Sequence, residues 1–264
     1  MHMRRNCHRH LWLLSGTGDG APLADALIHR GWKVSVSVVS SQASLKYCHL
    51  PLESLWVGAL SGVEDIQVVL ENARLLHDGF EWIIDATHPF AEIISSNLKI
   101  VCNELDQPLM RFDRCAETFS EAFLIKSHLD LLNFDLAGKK ILFAIGSRVL
   151  SEALDCGRRS GAIVFARVMP TVEGIRKALC CHLPSEHLAV VTPSRSNSLG
   201  QIEEALCRQW GITTVVARQS GGVTQKLWQN IARKNEIDLF LIARPGLADD
   251  VCVANSYQEL IDKL

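Results

Sequence analysis

The chain has 264 residues, 48% of them hydrophobic and 21% charged, with a formal net charge of -2 and nine cysteines. This balance leaves no basic footprint for nucleic acid, and no apolar run approaches the ~20 residues of a membrane helix. The apolar stretch behind the basic, His-rich head is shorter than the roughly 7–15 residues of a secretory signal, and an odd cysteine count without C-x-x-C reads as reduced thiols in a cytoplasmic protein, with no metal site expected.

Residues 1–10 read as a disordered leader. The first apolar strand is Leu11–Leu14. It runs into Ser15-Gly16-Thr17-Gly18-Asp19-Gly20-Ala21 and then an amphipathic helix, Pro22 to Arg30. Gly16, Gly18 and Ala21 fit G-x-G-x-x-A directly after a strand and opening a helix, the context of the dinucleotide fingerprint. Gly16, Thr17, Gly18 and Asp19 are the expected cofactor contacts. The alternative is a Gly-rich turn with no ligand. The next strand, Lys33 to Val39, ends in Ser40-Ser41-Gln42. An acidic residue there would hold the ribose 2′-hydroxyl of NAD, whereas hydroxyls at Ser40 and Ser41 are compatible with a 2′-phosphate, so NADPH is favoured over NADH.

Further strands at Ser54–Val57, Trp82–Ile84 and Pro108–Phe112 alternate with helices at Val63–His77 and Ala91–Leu105. The loop after Trp82-Ile83-Ile84 reads Asp85-Ala86-Thr87-His88-Pro89-Phe90-Ala91. It brings a carboxylate, a hydroxyl and a titratable ring to the carboxyl end of a strand, where open α/β sheets bind ligands. Pro89 is expected to pre-set the first helical turn, leaving free N–H groups near Thr87 and His88 for an anion. Equally, Asp85 or Thr87 is a helix cap. On the ligand reading, Thr87 makes a direct contact and Asp85 braces the loop. His88 orients the ligand first and serves second as an acid near neutral pH.

The polar stretch from Asp113 to Ala122 marks a junction between a dinucleotide-binding domain, 11–115, and a second domain, 116–264. The second half alternates strands at Lys140–Ile145, Ala162–Val168, Leu188–Val191, Thr213–Ala217 and Leu239–Ile242 with helices at Leu129–Phe134, Arg148–Leu154, Val172–His182, Leu199–Trp210, Thr224–Lys234 and Tyr257–Leu264. The pattern predicts an α/β protein of two Rossmann-like, doubly wound domains with mainly parallel sheets and an active-site cleft between them. Arg148, Arg167, Arg195, Arg218 and Arg244 all fall in or beside loops at carboxyl ends of these strands, with Ser220 and Gly221 following Arg218. Arginine suits bidentate carboxylate recognition, so a polyanionic ligand is expected. Taken singly, each arginine is as well explained as a solvated loop residue.

The order of these segments resembles the precorrin-6A reductase family of cobalamin biosynthesis, in its metal-free and cobalt-dependent forms. Asp85-Ala86-Thr87-His88-Pro89-Phe90-Ala91 looks like the family's D-A-T-H-P-F-A signature without a change. Arg111 and Arg114 resemble the arginine-containing segment that follows it. The first loop is similar to the family's G-G-T-x-E-A, with Ser15, Asp19 and Gly20 departing from it. Gly146, Arg167 and Pro170 look like further family positions, and Ser220-Gly221-Gly222, Lys226 and Arg244-Pro245 resemble the S-G…K…R-P region. The chain departs from the family at Thr192-Pro193-Ser194, at Arg218-Gln219 and at Ser41. The resemblance implies NADPH-dependent reduction of one double bond of a ring-contracted tetrapyrrole polycarboxylate. Arg111, Arg167, Arg195, Arg218, Ser220, Gly221, Lys226 and Arg244 would then lie toward that substrate. The rivals are a non-catalytic NADP or tetrapyrrole binder and another NADP-dependent reductase on the same architecture. A short-chain dehydrogenase would need Tyr-x-x-x-Lys, which neither Tyr47 nor Tyr257 provides.

Overall fold

The computed structural model describes residues 9–114, 120–192, 200–246 and 250–264. The chain runs through β1 (His10–Ser15), α1 (Gly20–His29), β2 (Lys33–Val38), α2 (Ser41–Ser44), β3 (Ser54–Val57), α3 (Val63–His77), β4 (Trp82–Ala86), α4 (Glu92–Glu104) and β5 (Leu109–Phe112). It continues with β6 (Ala122–Ile125), β7 (Lys140–Ala144), α5 (Leu150–Arg159), β8 (Ile163–Val168), α6 (Val172–Leu179), β9 (Leu188–Val190), α7 (Gln201–Trp210), β10 (Thr214–Arg218), α8 (Gly222–Asn235) and β11 (Asp238–Ile242). β12 (Cys252–Ala254) and α9 (Tyr257–Lys263) close it, and 3-10 turns at His128–Asn133 and Ser185–His187 complete the described elements.

Two compact units result, one of Met1–Cys115 with Pro245–Leu264 and one of Ala116–Arg244. Among the described residues each holds a six-stranded sheet, ordered β12-β5-β4-β1-β2-β3 in the first and β6-β11-β10-β7-β8-β9 in the second. Every pairing is parallel. Both orders are the doubly wound 3-2-1-4-5 with a sixth strand beside the fifth. Each therefore reverses direction at one point, between β1 and β4 and between β7 and β10, and such a reversal opens a ligand crevice at the carboxyl ends of the strands.

The apolar run of β1 reflects burial on both faces, as parallel sheets require. Leu11 and Leu13 pack with Leu23, Ala24 and Leu27 of α1. Trp12 and Leu14 pack with Ile66 and Leu70 of α3 and Leu98 and Val101 of α4. Each such large side chain contributes about 1.5–3 kcal/mol by leaving water. The alternating valines and serines of β2 follow from the same two faces. Val34, Val36 and Val38 join the α1 core. On the other face, Ser37 Oγ accepts from Trp12 Nε1 at 2.8 Å, and Ser35 Oγ lies 2.9 Å from His10 Nε2. In the second unit Leu142, Val215, Leu239 and Leu241 pack against Cys207 of α7 and Leu227, Trp228 and Ile231 of α8.

Three expectations change here. His10 is not part of a leader but the first residue of β1, buried and bonded to β2; residues 1–8 lie outside those described. The second domain does not run to residue 264, because β12 pairs with β5 of the first sheet, Val253 beside Arg111. The polar junction ends at Ala122, the first residue of an edge strand that the sequence pattern does not predict, β6, which pairs with β11. No helix among the described residues is long and apolar enough to cross a membrane.

Candidate active site

The first crevice is lined by the loop after β1 and the loop after β4. They touch through backbone: Gly16 N–H donates to Ala86 O at 3.3 Å. A Cβ at Gly16 would lie 3.0 Å from the amide N of His88 and 3.3 Å from Thr87 Cα, so only glycine fits there without moving the Thr87–His88 loop. Gly18 is different, because a Cβ there meets nothing within 4 Å. Its backbone faces open space at the start of α1. Gly20 takes the third position of the motif: a Cβ there would fall 1.8 Å from Ser15 Oγ and 2.2 Å from the Tyr47 hydroxyl, which donates to Ser15 Oγ at 2.6 Å. The close helix–strand packing of the motif's third position is therefore made by Gly20, one residue before the Ala21 that fits the spacing.

Asp19 precedes the first residue of α1 without a side-chain cap bond. Its carboxylate instead accepts from the Thr17 hydroxyl at 2.9 Å and from Tyr257 OH at 3.2 Å, and it pairs with Arg114 at 2.8 Å. Burial and the neighbouring Asp19 push the Tyr257 phenol up to about 12, against a lowering from Arg114. The phenol therefore stays protonated and donating. No local sequence signal connects Arg114 or Tyr257 to this loop, since both lie far along the chain. At the end of β2, Ser40 caps α2 by accepting from Ala43 N at 3.3 Å, and Ser40 and Ser41 are exposed.

The loop after β4 is built around a buried ion pair. Arg111 Nη1 lies 2.7 Å from Asp85 Oδ1, with both side chains at most 5% exposed. Asp85 also accepts from Thr87 N at 3.0 Å, Thr87 Oγ1 at 2.7 Å and Ser95 Oγ at 2.6 Å. Arg111 donates to Thr87 Oγ1 at 2.9 Å and Thr87 O at 3.1 Å. The register makes this inevitable, since β4 and β5 set Asp85 beside Arg111. Asp85 thus gathers four donors of this loop and its neighbours. Arg111 corrects its expectation: it is an internal partner of Asp85, not a side chain open to substrate. Thr87 is 9% exposed, and its hydroxyl is occupied by Asp85 and Arg111, so the contact it offers a ligand is limited to the edge of this network.

Pro89 does not open the helix. Ala91 N–H donates to His88 O at 2.8 Å, closing a turn with Pro89 in its second position, where a fixed φ is favoured. α4 begins at Glu92, three residues later. The Thr87 amide is spent on Asp85, which corrects the expectation of a free N–H there. His88 Nδ1 accepts from Phe90 N at 3.2 Å. In the neutral ring this leaves the proton on Nε2, so the partly exposed imidazole presents a donor.

In the second unit the arginines divide. Arg167 is buried against Glu203, Nη2 to Oε1 at 3.4 Å with side chains 11% and 2% exposed. Burial holds its pKa below the usual value, against the pull of Glu203. This is an ion pair within the second unit, where a substrate contact is expected from the sequence. Lys226 lines a cavity of about 310 Å³ with Gly200, Glu204, Asn230 and Lys234, between α7 and α8. Arg218 and Arg244 do stand at strand ends: Arg244 Nε donates to Gln219 O at 2.9 Å. Ser220 and Gly221 lead into α8, and Gly221 N–H donates to the Oε1 of fully buried Gln225 at 2.9 Å. Arg195 lies outside the described residues.

Comparison with known proteins gives one consistent result. The family model described as precorrin-6x reductase CbiJ/CobK matches residues 10–264. A cobalt-precorrin-6A reductase from Synechocystis is 28% identical over 258 residues, covering 94% of this chain and 95% of its own. A precorrin-6A reductase from Mycobacterium tuberculosis is 28% identical over 253 residues, covering 92% of each. The solved structure of a CobK precorrin-6A reductase superposes with a TM-score of 0.73 at 23% identity, over 96% of this chain and 95% of that one, a likeness of fold.

Proposed function

This chain belongs to the precorrin-6x reductase family and is an oxidoreductase, and from that premise we propose that it reduces precorrin-6A, or its cobalt form, with NADPH in cobalamin biosynthesis. The observation that supports this most is the contact of the two loops at the β1–β4 crevice, where Gly16 backs onto His88 and Gly18 opens outward. Bound there, NADPH supplies the reducing equivalent as a hydride.

The residues present suit such a cofactor. Gly16, Thr17 and Gly18 form the turn around the phosphates: Gly16 N–H is held by Ala86 O and brings the two loops together, while Gly18 has no side chain to block close approach of the backbone to a pyrophosphate. Asp19 is a negative charge at the same helix start. Its pairing with Arg114 lowers the repulsion a phosphate would meet, so Asp19 shapes the loop and does not itself touch phosphate. Ser40 and Ser41 stand at the end of the neighbouring strand with no carboxylate among them, which favours a 2′-phosphate over a bare 2′-hydroxyl.

Toward the substrate, Asp85 and Arg111 hold the loop, Thr87 contributes its edge, and His88 donates through Nε2 to orient the macrocycle. Arg218 and Arg244, with Ser220 and Gly221, receive its carboxylates. Arg167 acts behind them through Glu203, and Lys226 and Arg195 stand with the substrate set by resemblance. The partner is a small polycarboxylate, not nucleic acid. A cytoplasmic setting is supported by the free thiols of every described cysteine.

The test is direct. Purified protein is given precorrin-6A, or its cobalt form, with NADPH or NADH, and both macrocycle and nicotinamide absorbance are followed. We expect stoichiometric oxidation of NADPH with the spectral change of the reduced macrocycle, and a higher kcat/KM with NADPH than with NADH. Tight binding of both ligands without oxidation would identify a binder in place of a reductase.

A further inference from the structure

Both tyrosines of the chain reach the first strand-to-helix loop. Tyr47, between α2 and β3, donates to Ser15 Oγ at 2.6 Å. Tyr257, the first residue of α9, donates to Asp19 Oδ1 at 3.2 Å. α9 lies on the same face of the first sheet as α1, since Leu260, Ala254 and Phe112 share a core with Leu23 and Leu27. The Tyr257 ring stacks on Phe112 with centroids 5.2 Å apart and planes 6° from parallel. Packing therefore fixes the ring, and the hydroxyl bond is a separate interaction.

The group it meets carries a charge that matters to phosphate. Asp19 stands at the start of α1, beside Gly18, where a Cβ would meet nothing within 4 Å. An aspartate in this position commonly accepts from the first amides of its own helix, yet Asp19 makes no side-chain cap bond. Its Oδ2 instead accepts from Thr17 Oγ1 at 2.9 Å and pairs with Arg114 at 2.8 Å, while Oδ1 takes the Tyr257 hydroxyl. Arg114 comes from the end of β5 and Tyr257 from α9, so two distant segments of the first unit occupy one carboxylate. Amides at a helix start favour an anion, whereas an unneutralised carboxylate beside them repels it.

We propose that Tyr257 and Arg114 are positioning residues for the dinucleotide: they hold the Asp19 carboxylate in place of the first amides of α1, leaving those amides to the cofactor's phosphates and offsetting the charge that would repel them. The proposal rests on the reading of this loop as the NADPH site. It gives α9 a part in cofactor affinity and separates Arg114 from the arginines assigned to substrate.

Isothermal titration of the full chain with NADP+ tests it. Tyr257→Phe keeps the ring on Phe112 and removes only the hydroxyl. It should weaken NADP+ binding by about threefold, the scale of one hydrogen bond. Arg114→Gln should weaken it by about tenfold by uncovering the Asp19 charge, and Arg114→Lys, which keeps the charge, should restore most of that loss. In an Asp19→Asn background, where an acceptor remains without its charge, Tyr257→Phe and Arg114→Gln should each have less than about a twofold effect. Lys263→Gln breaks an ion pair to Glu259 elsewhere on α9 and should leave the affinity unchanged. Tyr257→Phe protein that melts lower but binds NADP+ normally overturns the proposal, because Tyr257 then serves structure alone. Equal losses for Arg114→Gln with Asp19 and with Asn at that position overturn it too, because Arg114 then contacts phosphate itself. Wild-type protein that does not bind NADP+ refutes the cofactor site and the proposal together. Wild-type binding with unchanged affinities in the variants refutes the proposal alone, and the stated affinities without turnover of precorrin-6A refute the reductase reading alone.

Discussion

Replacing Arg111 with methionine removes the guanidinium from the loop after β4 while keeping most of the side-chain volume. The change deletes the 2.7 Å ion pair to Asp85 and the bonds to Thr87 Oγ1 and Thr87 O. It leaves a carboxylate 3% exposed. Breaking a buried pair from one side costs about 3–5 kcal/mol. Asp85 keeps three donors, Thr87 N, Thr87 Oγ1 and Ser95 Oγ, which puts the expected loss at the lower end, about 3 kcal/mol. That is a large part of the ~5–15 kcal/mol that keeps a domain folded. Removing both charges in Asp85→Leu/Arg111→Met should cost less than the sum of the single changes, by about 1–3 kcal/mol. Two units need not unfold together, so the measurement is hydrogen exchange of β4 and β5 peptides through a urea series. A loss below about 1 kcal/mol for Arg111→Met, the range of a solvated pair, or a strictly additive cycle, would refute the claim that this pair braces the loop.

Three further outcomes follow from the same geometry. Gly16→Ala should lower the melting temperature, because its Cβ meets backbone of Thr87 and His88 and forcing such contacts costs about 1–3 kcal/mol, whereas Gly18→Val should keep the melt near wild type and weaken NADPH binding in calorimetry. His88→Ala should lower turnover modestly with fold and NADPH affinity intact; lost stability with unaltered turnover per folded molecule would make the loop a structural cap. Burial pushes the Cys102 and Cys207 thiols up to about 12. In the unfolded chain a thiol ionises near pH 8.5, so above that value the unfolded state loses a proton that the folded state keeps, and stability falls as pH rises toward 12. Cys102→Ala should flatten that fall in urea titrations at pH 8 and pH 10, and an equal slope in both proteins would show that Cys102 is not the source.

Much of the fold was legible because its signals are local. Leu11–Leu14 is apolar on both faces, Val63–His77 is a helix over the residues its period indicates, and the first strand-to-helix loop carries glycine where backbones approach. What escaped the sequence were features set by distant partners. β6 and β12 are short edge strands of four and three residues, too brief for a period, and each exists because another strand offers hydrogen bonds. Arg111 reads as a free cation until the β4–β5 register sets it beside Asp85. Arg167 and Glu203 are 36 residues apart, and no spacing rule links them. Spacing points to Ala21 and not Gly20, because the constraint on Gly20 is the Tyr47 hydroxyl, which arrives from 27 residues downstream. The candidate site was therefore visible as two loops, but not the partners that hold them in shape.

The return of β12 and α9 to the first sheet has a consequence for how the protein is made. The whole second unit, Ala116–Arg244, leaves the ribosome before Pro245–Leu264 does. Until then β5 has an unpaired outer edge, a template for wrong partners. Phe112 lacks the ring of Tyr257, which stacks on it at 5.2 Å, and the core lacks Leu260, fully buried in the finished unit. Asp19 waits for the Tyr257 hydroxyl across 238 residues. A premature stop that removed only this last segment would spare the second unit entirely, yet leave the first with an open edge and its glycine loop short of one partner. Nascent chains of this protein should thus engage chaperones through the first unit until Tyr257–Lys263 has emerged, so that a helix made after the whole second unit completes a loop made before it.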